Sequence, residues 1–114
     1  CGGVLDGFVP CAGLMGLDRR PGHLLAELNY YGTVELLCAA RPWLARGQRP
    51  AAVAISSNST TTMPGLDVEL TRLLLDGSPA EAIARAEKIG SPAAYPATKL
   101  AVARWVRRQA TKPE

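Results

Sequence analysis

Residues 51–55, Ala-Ala-Val-Ala-Ile, form an unbroken apolar run that stops abruptly in Ser56-Ser57-Asn58-Ser59-Thr60-Thr61-Thr62. A short apolar run without polar alternation reads as a strand buried on both faces, which confines the chain to a covered, mostly parallel sheet. Residues 4–13 hold a second such run, which ends in the small residues Cys11, Ala12 and Gly13. Their lack of bulk would let another body approach the backbone closely. Between the two runs, from about Leu24 to Arg46, Leu25, Leu28, Gly32, Leu36, Ala39 and Trp43 recur at steps of three and four. That is the stripe of an amphipathic helix, whose last turns Pro42 should bend.

Residues 63–90 read as an excursion of two short helices. Asp67 to Leu75 places Leu70, Leu73 and Leu74 on one face and ends at Asp76-Gly77. Ser78-Pro79-Ala80-Glu81 has the form of a capping box with proline at the first helical position, opening a helix that Gly90 stops. A last helix follows Ser91-Pro92 and runs to about Thr111, with Arg104, Arg107 and Arg108 pointing outward. The order strand, helix, strand, two-helix insert, helix implies parallel strands with helices on the sheet faces. The leucines of the insert must bury against something, with a substrate or a partner subunit as candidates, and the insert should stand at the rim of a site.

Composition excludes several classes. Hydrophobic residues make up 47% and charged residues 20%, a globular balance rather than a disordered one. No apolar run approaches the ~20 residues of a membrane span, and no signal-peptide pattern is present. The net charge of +3 owes much to Arg104, Arg107, Arg108 and Lys112, which read as a solvated helix face, so no nucleic-acid partner is expected. Cys1, Cys11 and Cys38 form no C-x-x-C pair, and the single histidine, His23, is remote from them in sequence, so no metal site is expected. Three cysteines without secretory marks read as reduced thiols of a cytoplasmic protein. The chain starts at Cys1 without Met and ends in mid-phrase, which reads as a piece of a longer protein.

Two features carry chemistry. A hydroxyl cluster at the carboxyl end of a buried strand is where open α/β sheets bind ligands, although Ser and Thr also cap ordinary turns. Tyr95 and Lys99 stand four apart, on one helix face and one turn apart. A free phenol is a poor acid or base at neutral pH, but a nearby lysine cation favours the phenolate. A tyrosine so tuned can exchange a proton with a carbonyl or alcohol oxygen.

Leu5-Asp6-Gly7-Phe8-Val9-Pro10-Cys11-Ala12-Gly13, Asn29-Tyr30-Tyr31-Gly32-Thr33, Ala54-Ile55-Ser56-Ser57 and Tyr95-Pro96-Ala97-Thr98-Lys99 follow one another in the order and on the elements expected of a short-chain dehydrogenase/reductase, and the chain resembles the middle of one. The Asn-Asn-Ala-Gly motif of that family is Pro-Cys-Ala-Gly here. The resemblance implies a fragment of a Rossmann-like doubly wound parallel sheet: residues 1–114 as the central part of one NAD(P)-binding domain, interrupted by an insert at about 63–90. The glycine-rich nucleotide-binding turn and the segment after the Tyr95 helix are not in the sequence. The serine lies unusually far from the tyrosine. That spacing, with Cys-Ala-Gly and Gln48-Arg49-Pro50-Ala51-Ala52-Val53 before Ile-Ser-Ser, resembles the 3α-hydroxysteroid dehydrogenase/carbonyl reductase branch.

The resemblance further implies an oxidoreductase that interconverts an alcohol and a carbonyl with NAD or NADP, on steroid or small carbonyl substrates, and a homo-oligomer. Tyr95 is then the general acid/base, Lys99 holds the cofactor ribose, Ser57 orients the substrate oxygen, and Asn29 fixes a water linked to Lys99. Ser56 and Ser59 are the alternatives to Ser57. Cys11, Ala12 and Gly13 border the cofactor together with Tyr95 and Lys99. The competing expectation is a non-catalytic fragment or a degenerate relative that only binds or packs.

Overall fold

The computed structural model describes residues 3–112. Two short strands, β1 (Gly7–Phe8) and β2 (Ala51–Ala52), pair in parallel with Gly7 opposite Ala51 and Phe8 opposite Ala52. The Ala51 N–H donates to Asp6 O and the Val53 N–H to Phe8 O, each at 3.0 Å. One continuous helix joins them: α1 (Gly22–Leu25), a π-helical stretch (Ala26–Gly32) and α2 (Thr33–Leu44). After β2 come α3 (Ser59–Thr62), α4 (Val68–Asp76), α5 (Pro79–Ile89) and α6 (Ser91–Ala110).

The second strand is not buried on both faces, as its sequence implies. Ala52 and Ala54 line a groove with Leu37, Leu44 and Trp105, so this edge of the strand faces α2 and α6. Val53 and Ile55 alternate with them and remain 51% and 44% exposed. Ala51 and Ala52 of β2 are themselves exposed, and the groove beside Ala52 and Ala54 lies open between the strand and helices α2 and α6.

The inward stripe of the long helix also differs from expectation. Leu25 is buried as predicted, but beyond it Ala26, Asn29, Tyr30, Thr33, Leu37 and Ala40 are buried, and four of these, Asn29, Thr33, Leu37 and Ala40, stand one residue later than Leu28, Gly32, Leu36 and Ala39. Leu36, Ala39 and Trp43 face outward. The π stretch is the cause, because an i→i+5 turn holds more residues than an α turn and rotates everything after it. Pro42 lies inside α2, which ends two residues later.

The helix boundaries after β2 follow their caps. Asp67 accepts from Leu70 N–H at 2.7 Å and starts α4. The Ser78 hydroxyl accepts from Glu81 N–H at 3.2 Å, with Pro79 at the first position of α5. Gly90, at φ +83°, separates α5 from α6, a left-handed conformation that suits glycine. Gly22 lies against α5 so closely that a Cβ there would stand 1.9 Å from Ala86 O.

The core joins these helices. Leu70, Leu73 and Leu74 of α4 and Ala82 and Ala86 of α5 bury with Leu25, Tyr30, Ala94, Ala97, Ala101 and Val102. The leucines of the excursion therefore pack on this chain's own helices rather than on a substrate or partner. Each fully buried leucine is worth about 1.5–3 kcal/mol. The Thr71 hydroxyl donates to Ala97 O at 3.2 Å, and Arg108 pairs with Asp76 at 2.8 Å, tying α4 along α6. Asp67 also pairs with Arg85 of α5 at 2.7 Å.

Candidate active site

Helix α6 carries Tyr95 and Lys99 past the end of β2. Lys99 is 8% exposed, and its ammonium donates to Ile55 O at 3.1 Å. The Ser56 hydroxyl donates in turn to Lys99 O at 3.0 Å. These two bonds lock the end of the serine strand to the tyrosine helix. Among the described residues no carboxylate pairs with Lys99. Its charge therefore stays directed at the site instead of being neutralised.

The three serines separate by their bonds. Ser56 spends its proton on Lys99 O. Among the described residues Ser57 only accepts, from Ser59 N–H at 3.1 Å, so its own hydroxyl proton is not committed to any of them. Ser59 is buried, and its hydroxyl oxygen has no partner among the described residues.

Tyr95 stands between two clefts. One, of about 430 Å³, is bordered by Ser57, Ser59, Thr62, Met15, Met63 and Pro92. The other, of about 170 Å³, is bordered by Cys11, Gly13, Leu14 and Lys99. Met15 and Tyr95 belong to both. Ala12 is exposed and borders neither. Cys11 and Cys38 are exposed free thiols, and Cys1 lies outside the described residues. Of the segment 63–90, Met63 reaches the first cleft; α4 and α5 do not stand at its rim as expected, being held in the core.

Asn29 is fully buried in the π stretch. Its Nδ2 donates to Leu14 O at 2.9 Å and its Oδ1 accepts from Leu14 N–H at 2.8 Å. The side chain thus acts as a piece of partner backbone for the loop after β1. Gly13 sits beside it: a Cβ there would stand 3.3 Å from Asn29 Oδ1 and 3.5 Å from Lys99 Nζ. A side chain would fill this cradle, so the glycine keeps the approach to the ammonium open.

Ser91 is a residue that sequence reasoning missed. Its hydroxyl donates to Leu17 O at 2.9 Å and accepts from Leu17 N–H at 2.7 Å, clamping the same loop a second time. In sequence it reads as the start of a helix, and no local signal connects it to Leu17.

No protein-family model matches the chain. The chain is 35% identical over 113 residues to the 3-alpha-hydroxysteroid dehydrogenase/carbonyl reductase of Comamonas testosteroni, an alignment that takes in 96% of this chain and 44% of that protein. The crystal structure of the 3-alpha-hydroxysteroid dehydrogenase from Pseudomonas sp. B-0831 complexed with NADH matches with a TM-score of 0.85 and 39% identity, over 96% of this chain and 43% of that one. The chain spans less than half the length of either relative. Both carry the name of the branch that the Cys-Ala-Gly and Ile-Ser-Ser segments resemble. The α/β fold, a portion of a Rossmann-like sheet, is shared with the second at that score.

Proposed function

We propose that the full-length protein is an NAD(H)-dependent oxidoreductase of the short-chain dehydrogenase/reductase type, interconverting an alcohol and a ketone on a steroid or a smaller carbonyl compound. The observation that carries this reading is the position of Tyr95 as the shared wall of two clefts, one with Ser57 and the other with Lys99 and the Gly13 cradle. The NADH in the Pseudomonas relative supports NAD(H) as the cofactor.

The cradle at Gly13, open toward a buried ammonium, fits a ribose hydroxyl group. Cys11, Gly13 and Lys99 would hold the cofactor, which when bound supplies hydride chemistry. Tyr95 would give its hydroxyl proton to the ketone oxygen, or take it back from the alcohol. Lys99 borders the same small cleft as Tyr95 and would hold the cofactor's ribose there. Ser57, with its uncommitted proton, would hydrogen-bond the same oxygen and orient it. Asn29 would act through Leu14. Its amide retains one N–H and one lone pair, enough for a water between it and Lys99.

The reading includes a cytoplasmic location and a homo-oligomer. Among the described residues no helix is long and apolar enough to cross a membrane. The decisive experiment follows nicotinamide absorbance with steroid and small carbonyl substrates in the full-length protein and in Tyr95→Phe. Turnover that depends on Tyr95 is expected. Absence of turnover with every substrate of both classes, or full turnover in Tyr95→Phe, would refute the reading.

A further inference from the structure

The chain has two methionines, Met15 and Met63, and both border the cleft that holds Tyr95 and Ser57. They are 67% and 43% exposed. Neither belongs to the core cluster or packs on it. Yet the backbone that presents Met15 is held on both sides. Leu14 before it is bonded through its N–H and its C=O to Asn29, and Leu17 after it is bonded through both to Ser91. Asn29 and Ser91 are themselves buried. Gly16 between them lies against the start of α6, where a Cβ would stand 2.6 Å from Ser91 O and 2.8 Å from Pro92 Cα.

A rigid backbone thus presents a flexible side chain. Met63, also on this cleft, follows α3 with its N–H donating to Ser59 O at 3.3 Å. A methionine side chain is unbranched and polarizable and adapts to irregular apolar shapes. Two of them, exposed on one cleft that is also bordered by Tyr95 and Ser57, are suited to an apolar ligand with a single polar end.

We infer that Met15 and Met63 are the specificity-determining residues of this site. They close as two adaptable apolar jaws on the body of a bulky apolar ketone or alcohol, and its oxygen is directed at Tyr95 and Ser57. Asn29 and Ser91 are positioning residues that act through the backbone of Met15. A ketone too small to reach both jaws gains little from them. The inference rests on the reaction proposed above.

The test is a ratio. In the full-length protein with NADH, kcat/KM is measured for a tetracyclic ketone and for acetone, in the wild type and in Met15→Ala, Met63→Ala and Met15→Leu. Loss of enzyme to misfolding lowers both rates alike and leaves their ratio untouched. Each alanine variant should lower the tetracyclic-to-acetone ratio about tenfold, since apolar contacts of this size discriminate by roughly 10–200-fold. Met15→Leu should keep most of the ratio, being similar in bulk. Ratios equal to the wild type in both alanine variants would overturn the inference and leave the proposed reaction standing. A wild type that reduces neither ketone would overturn the reaction, and the inference with it.

Discussion

The Asn29 amide makes both hydrogen bonds to Leu14 that a neighbouring strand would make, at 2.9 Å to its carbonyl and 2.8 Å from its N–H. A helix side chain thereby fixes the loop that borders both clefts. Asn29→Ala leaves the two Leu14 groups without partners, and the expected loss is about 2–6 kcal/mol, at ~1–3 per unsatisfied group. Denaturant unfolding measures it. Hydrogen exchange gives the finer check: the Leu14 N–H should lose protection in Asn29→Ala and keep it in Asn29→Asp, which retains the acceptor.

Tyr95→Phe removes one hydroxyl from a half-buried ring and leaves the packing in place. In the full-length protein kcat should fall by ~10²–10⁴, the usual contribution of a general acid/base. Lys99→Ala should also lower kcat and, with the ammonium beside Gly13 gone, raise KM for the cofactor. Steady-state kinetics with circular dichroism as a folding control separate the two. A Lys99→Ala enzyme with an unaltered cofactor KM would remove Lys99 from the ribose.

Burial alone would raise the Asp67 carboxyl, but hydrogen bonds from Arg85 and from Leu70 N–H, with the Arg85 charge, hold it below the ordinary carboxylate range. A carboxylate whose folded pKa is depressed stabilises the fold above its unfolded value of ~3.9, and that contribution disappears as pH falls through the folded value. Asp67→Asn keeps an N-cap acceptor and loses the ion pair, so its stability should vary less with pH over the acid range than that of the wild type. Asp67→Ala should cost about 0.5–2 kcal/mol at neutral pH by losing the cap as well. Melting temperatures across the acid range check both.

Deleting residues 66–89 should abolish cooperative folding instead of retuning the substrate range. Leu70, Leu73 and Leu74 supply the apolar cover for Leu25, Tyr30 and Ala97, and Gly22 is shaped to lie against Ala86. Three leucines at about 1.5–3 kcal/mol each approach the whole stability of a small domain. A soluble deletion variant with a sharp thermal transition would contradict this. Gly22→Ala should show the same fault in miniature, by forcing α5 away from α1.

The sequence by itself determined the order of elements apart from α3, which falls in the Ser-Thr run read as a turn, the starts and stops of α4, α5 and α6, and the one-turn spacing of Tyr95 and Lys99. Those signals are local: Asp67 and Ser78 cap N–H groups three residues away, and Gly90 needs only its own φ. Only the tertiary structure decided which face of the long helix is inside, because the π stretch shifts the buried positions by one residue and apolar spacing along the chain does not reveal it. The same holds for the clamps. Asn29 reaches a partner 15 residues away on a loop and Ser91 one 74 residues away, and no periodicity or capping pattern links either pair. Ser56, Ser57 and Ser59 are likewise equivalent as letters. They differ because Lys99 O, a carbonyl on another element, claims the proton of the first, the second accepts from Ser59 N–H, and the oxygen of the third is buried without a partner among the described residues.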